Sequence, residues 1–185
     1  MKLEMTSVQK LAKVLKILVM ITFVCNLIVL LLVPGLALLR GAEDLADLVS
    51  TPSMFVPHFV SSWSLVWVSG DYSAVLTVFL WACGICTAII LWQAHRVLDT
   101  VLAGETFSLK NAANMKRAAI CCLIIAVAAL ARLIWGFFYY KSIAPLLTYN
   151  ALFVPVFAMG CLLFLVMSAL FRQAAELKEE NDLTI

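Results

Sequence analysis

The stretch Ala118-Ala119-Ile120-Cys121-Cys122-Leu123-Ile124-Ile125-Ala126-Val127-Ala128-Ala129-Leu130-Ala131-Arg132-Leu133-Ile134-Trp135-Gly136-Phe137-Phe138 decides how this chain folds. It is apolar apart from Arg132, and it is as long as the ~20 helical residues that a bilayer's hydrocarbon core requires. Three further runs match it, at Val14–Leu39, Ala74–Trp92 and Leu146–Leu170. A helix that spans lipid satisfies its own backbone polar groups, so four such runs predict an all-α membrane protein. The expected architecture is a four-transmembrane-helix bundle forming a single integral membrane domain over residues 1–185. Its spans fall at roughly 14–39, 74–96, 116–138 and 146–171, with a short outer loop between the first two helices.

Composition agrees. Hydrophobic residues make up 64% of the chain and charged ones 13%, against about 25% charged in ordinary soluble domains. The net charge of +2 is too small to suggest direct nucleic acid binding, and the lipid bilayer is the first partner implied. The distribution of charge is more informative. Lys2, Lys10, Lys13 and Lys16 precede the first span, and Arg96, Lys110, Lys116 and Arg117 lie between the second and third. Arg172 and Lys178 follow the fourth, whereas the opposite side holds Arg40 and Lys141 among Glu43, Asp44, Asp47 and Asp71. By the positive-inside rule both termini are expected in the cytoplasm. The first run is longer than the apolar stretch of a cleaved signal peptide, which predicts a retained helix.

Residues 1–16 read either as an amphipathic start lying on the inner leaflet or as an extension of the first helix. In the outer segment 40–72, Gly41–Val49 suits a short helix, and Pro52 and Pro57 are expected to break any helix beyond it. Ser62-Trp63-Ser64-Leu65-Val66-Trp67 alternates polar with apolar residues, the period of a strand, which predicts a small hairpin or an extended lid. Trp63, Trp67 and Tyr72 suit the interfacial aromatic belt; an aromatic ligand cap is the alternative. On the inner side, Gln93–Ala103 continues the second helix, Gly104 supplies a left-handed stop and Ser108 an N-cap for a third helix beginning near Leu109. The elbow Gly104-Glu105-Thr106-Phe107-Ser108 then projects beyond the membrane, and the fourth helix runs on through Lys178.

Six cysteines raise a redox reading, since Cys83-Gly84-Ile85-Cys86 has the spacing of a thiol–disulfide pair and Cys121-Cys122 adds another. Four-helix membrane oxidoreductases of that kind also need cysteines in outer loops, and here all six fall within apolar spans. Thiols in such surroundings carry little thiolate and serve as small packing residues. His58 and His95 belong to opposite ends of the spans, and no paired carboxylates occur within them. Neither an enzyme nor a metal or cofactor site is expected.

Arg132 lies six residues before Phe138, about 9 Å below the outer edge at ~1.5 Å rise per residue. An arginine at mid-bilayer costs at least ~2.5 kcal/mol, so Arg132 faces the bundle interior, a partner or the interface. It either snorkels outward, pairs with Asp71 or another acid of the outer segment, or receives an anionic ligand. Asn26 and Asn150 complete a candidate intramembrane polar site, with interhelical hydrogen bonds as their expected role. Ala118, Cys122, Ala126, Ala129 and Gly136 form a small-residue stripe, suited to central packing or to a homodimer contact. Pro155 marks a kink in the fourth span.

The elbow Gly104-Glu105-Thr106-Phe107-Ser108-Leu109-Lys110-Asn111-Ala112-Ala113-Asn114-Met115-Lys116-Arg117 resembles the glycine, phenylalanine, asparagine and basic-residue pattern of bacterial proteins grouped as domain of unknown function 2975. The ending Phe171–Ile185 is similar to that family's C-terminal signature, although the alanine-rich centre of the elbow (Ala112, Ala113) departs from the pattern. The resemblance implies a small multi-pass protein of the bacterial inner membrane, with no established activity and often encoded beside a helix-turn-helix regulator. It also implies a cytoplasmic partner surface made of Gly104, Glu105, Phe107 and Asn111 with Glu176, Glu179, Glu180, Asn181 and Asp182. The expected function is a non-enzymatic sensor or docking partner for that regulator. The alternative is a small transporter or immunity-type protein that binds a lipophilic or anionic compound between its helices.

Overall fold

A computed structural model of the chain describes residues 7–39, 42–105, 107–144 and 149–182. Among the described residues six helices run in order: α1 Ser7–Leu38, α2 Ala42–Ser50, α3 Pro52–Leu65, α4 Asp71–Leu102, α5 Leu109–Tyr140 and α6 Tyr149–Asp182. Among the described residues, helices α1, α4, α5 and α6 are the four long and apolar enough to cross a membrane. Each has at least 32 residues, about 48 Å at ~1.5 Å per residue, so each extends well past a hydrocarbon core of ~30 Å. The chain is a multi-pass α-helical membrane protein.

The four long helices stand in a row in chain order. α1 packs on α4, α4 on α5 and α5 on α6, while no Cα of α1 comes within 8 Å of one in α5 or α6 among the described residues. The α5–α6 contact is the most extensive, and the small-residue stripe accounts for it. Ala118, Cys122, Ala126, Ala129 and Gly136 are all buried. Cys122 shares a cluster with Ala119 and Cys161, into which Phe157 and Phe164 pack. Without a hydrophobic drive between helices in lipid, such close approach supplies the van der Waals contact that holds them together.

The segment joining α1 to α4 corrects the expectation of a hairpin. Residues 52–65 are helical, and no strand occurs among the described residues. Pro52 sits at the first helical position, where its missing N–H costs nothing. The serines that suggested alternation donate their hydroxyls back into the helix, Ser62 to Phe59 O at 2.7 Å and Ser64 to Ser61 O at 3.0 Å, as does the preceding Ser61 to His58 O at 3.1 Å. Pro57 lies within α3 without ending it. The helix is held against α1 by Phe59, whose ring fills the space that Gly35 leaves by having no side chain. His58 Nε2 lies 3.3 Å from the Gly35 carbonyl, which has lost its helical donor because Leu39 N–H turns to Leu36 O. The acidic helix α2 forms as expected. Together α2 and α3 define a capped end of the bundle, opposite the elbow end at residues 103–108.

Pro34 stays inside α1, which runs on to Leu38. It deprives the Leu30 carbonyl of its donor, and Trp81 Nε1–H on α4 supplies one at 3.2 Å. At the other end, α1 is continuous from Ser7, so residues 7–16 extend the first helix; residues 1–6 lie outside the described residues. Pro155 lies within a continuous α6.

Candidate functional site

The elbow is built as its residues require. Gly104 adopts φ +83°, a conformation costly for residues with a Cβ, and the Glu105 N–H closes the turn on Thr100 O at 2.9 Å. Ser108 caps α5, its hydroxyl accepting from the Asn111 N–H at 3.3 Å. Asn111 belongs inside, not on the partner surface expected of it. It is fully buried, and its Nδ2 donates at 2.6 Å to Thr100 Oγ1. The side chain ties α4 to α5 from within the elbow because the register of α5 turns it toward α4.

The tail meets the elbow. Phe107 and Phe171 have ring centroids 6.0 Å apart, and Ser168 Oγ donates to the Ala112 carbonyl at 2.8 Å. From Phe171 the helix continues to Asp182, about 16 Å at ~1.5 Å per residue. Ala175 is buried on it, whereas Glu176, Glu179, Glu180 and Asn181 are exposed. Glu176 pairs with Arg172 Nε at 2.8 Å. Gly104, Glu105, Phe107, Glu176, Glu179, Glu180 and Asn181 therefore share one end of the molecule; the side chain of Asp182 lies outside the described residues.

Arg132 and Asn26 do not share a site. Arg132 lies between α4 and α5 toward the capped end, its Cζ 4.7 Å from the Phe79 ring centroid, an attractive cation–π geometry. The pair borders a groove of about 450 Å³ whose other walls are apolar, from Ala74, Val78 and Ala82 to Ala128 and Trp135. Asn26 stands on α1, which does not reach α5. Its Oδ1 is buried and accepts no hydrogen bond among the described residues, contrary to the interhelical bond expected of it. The side chain of Asn150 lies outside the described residues.

All six cysteines are free thiols. Cys86 and Cys121 join Ile125 in a core that Cys83, Ile90 and Phe157 complete. Among the described residues no group of three or more His, Cys, Asp and Glu side chains is placed to hold a metal ion. Near the capped end, Trp63 and Trp67 flank Trp81 at 5.5 and 6.1 Å between ring centroids. At the elbow end, a pocket between α4 and α5 carries Arg96, Lys110 and Arg117. Sequence reasoning used these three only as markers of orientation, because they are far apart in the chain; their matched helical spacing was the available signal.

Four apolar helices in a row, an elbow closed by Gly104 and Ser108 and a tail docked on it through Phe171 define a small polytopic membrane protein. Residues 52–185 match the family model described as protein of unknown function (DUF2975), and the chain belongs to that family. Searches of curated proteins and of solved structures give no match.

Proposed function

We propose that the protein is a non-enzymatic membrane sensor or docking protein of the bacterial inner membrane, with both termini cytoplasmic, that holds a soluble helix-turn-helix regulator at its elbow end. The observation that carries this reading is the Phe107–Phe171 contact. It brings the elbow against α6 at Phe171, from which the acidic end of the helix runs on by about 16 Å at ~1.5 Å per residue. The exposed acids Glu176, Glu179 and Glu180 offer a surface that suits the basic face of a nucleic-acid-binding protein. The test is affinity purification from the native host, comparing the full chain with one ending at Arg172. Recovery of a helix-turn-helix protein with the full chain alone supports docking; its absence from both contradicts it.

The Arg132 groove favours a second reading, in which an anionic or lipophilic compound binds between α4 and α5. A carboxylate or phosphate beside Arg132, with its apolar part along Val78 and Trp135, fits the groove's lining. Under this reading Arg132→Ala abolishes function and truncation after Arg172 does not. Docking at the elbow predicts the reverse order.

A further inference from the structure

At the elbow end, α4 and α5 face each other across a pocket of about 440 Å³, walled by Arg96, Asp99 and Thr100 on one side and Lys110, Asn114 and Arg117 on the other. The spacing explains the convergence. Positions 96 and 100 share one face of α4, and positions 110, 114 and 117 share one face of α5. That face is separate from the one α5 turns to α6, which uses Ala112, Ala119 and Cys122.

The charges in the pocket are unbalanced. Asp99 is already engaged, 2.6 Å from Lys16 Nζ on α1 and 3.6 Å from His95 Nε2. Arg96, Lys110 and Arg117 make no ion pair or hydrogen bond among the described residues. Three cations converging on one cavity repel one another, and an anion between them removes that repulsion. Guanidinium groups match phosphate oxygens in a planar, two-point geometry. Beneath them lies Asn114, a polar residue 4% exposed. Lys110 stands in the first turn of α5, where the helix's own N-terminal field also favours negative charge.

Depth narrows the ligand. Arg96 is four residues past Trp92, about 6 Å along α4 at ~1.5 Å per residue. Trp92 ends the apolar run and is of the type that marks a membrane–water boundary. The pocket is therefore at the level of lipid headgroups. We propose that it binds a phosphate group, in the first instance the headgroup phosphate of an anionic phospholipid, clamped by Arg96, Lys110 and Arg117. The site uses neither Phe107 nor the α6 tail, and it is separate from the Arg132 groove.

Native mass spectrometry of the full chain in detergent, equilibrated with dioleoyl-phosphatidylglycerol or dioleoyl-phosphatidylcholine, tests this. The expected result is retention of the anionic lipid, with binding weakened about tenfold or more in R96Q/K110Q/R117Q. A charge-matched control, K10Q/K13Q/K178Q, keeps the lipid, and the charge-conserving R96K/R117K, which loses the two-point geometry, binds it less tightly than the native chain but more tightly than R96Q/K110Q/R117Q. Displacement by millimolar inorganic phosphate identifies free phosphate as a ligand of the same site; resistance to it identifies the lipid headgroup. Three results would overturn the proposal: equal retention of phosphatidylcholine, undiminished binding in R96Q/K110Q/R117Q, or equal loss in the control.

Discussion

Trp81 on α4 completes a hydrogen bond that Pro34 breaks in α1: its indole Nε1–H donates at 3.2 Å to the carbonyl of Leu30, the residue four before the proline. In lipid an orphaned backbone carbonyl has no water to turn to, so a neighbouring helix must serve it. The same contact fixes the register of α1 on α4. Leu30 also packs over Gly84, where an added Cβ would come within 3.0 Å of Leu30 Cγ. Trp81→Phe keeps most of the ring packing and removes the donor. It is expected to lower stability by about 1 kcal/mol, and to cost close to nothing in a Pro34→Ala background, where the backbone supplies the donor. Thermal unfolding in detergent, run as a double-mutant cycle, measures this coupling.

The elbow depends on Asn111 and Thr100. Thr100 Oγ1 accepts from Asn111 Nδ2 at 2.6 Å and lies 2.7 Å from the Val97 carbonyl, to which it can donate. Asn111→Leu leaves the half-buried hydroxyl without that partner, and a loss of about 1–3 kcal/mol is expected. The loss should appear as faster hydrogen exchange at residues 100–111 before any change at the capped end.

At the capped end, Gly35 and Phe59 are complementary. Any Cβ at position 35 runs into the Phe59 ring, so Gly35→Ala forces α3 away from α1, at a cost of about 1–3 kcal/mol for an overpacked contact. Phe59→Leu should recover part of the loss in the double variant. Stability that falls equally with and without Phe59→Leu would point to a cause other than this contact.

These contacts also show why some parts of the chain are legible and others are not. The spans are legible because lipid leaves the backbone no choice but to pair internally. The elbow is legible because its structure is local: Gly104 is the residue that adopts φ +83° cheaply and Ser108 the one that caps. Residues 52–65 mislead because a six-residue alternation cannot be told from one face of a helix until Phe59 meets Gly35, a contact across two elements. Asn111 misleads in another way. A polar residue next to an exposed turn looks like surface, and only the register of α5 on α4 turns it inward. Arg96, Lys110 and Arg117 converge for the same reason, through helix pairing that no local pattern reveals.

Membrane placement has its own test in the native thiols. Cys25 is exposed on the surface of α1, midway along the helix, and Cys83 is half-buried on α4. In intact bilayers a charged, water-soluble maleimide is expected to label none of the six cysteines, and to label Cys25 first once detergent replaces the lipid and water reaches the thiol. Rapid labelling of Cys25 by the charged reagent in the intact bilayer would show that α1 does not span.

The central claim is that the elbow and the end of α6 act as one docking surface, and photo-crosslinking in living cells tests it most directly. A photoreactive amino acid is placed at Phe107 in one variant and at Glu179 in another. The account predicts that both positions crosslink to the same soluble helix-turn-helix protein, and that a third variant carrying the group at Trp63, at the capped end, does not. Crosslinks from Phe107 and Glu179 to lipid alone, or to unrelated proteins, would contradict it.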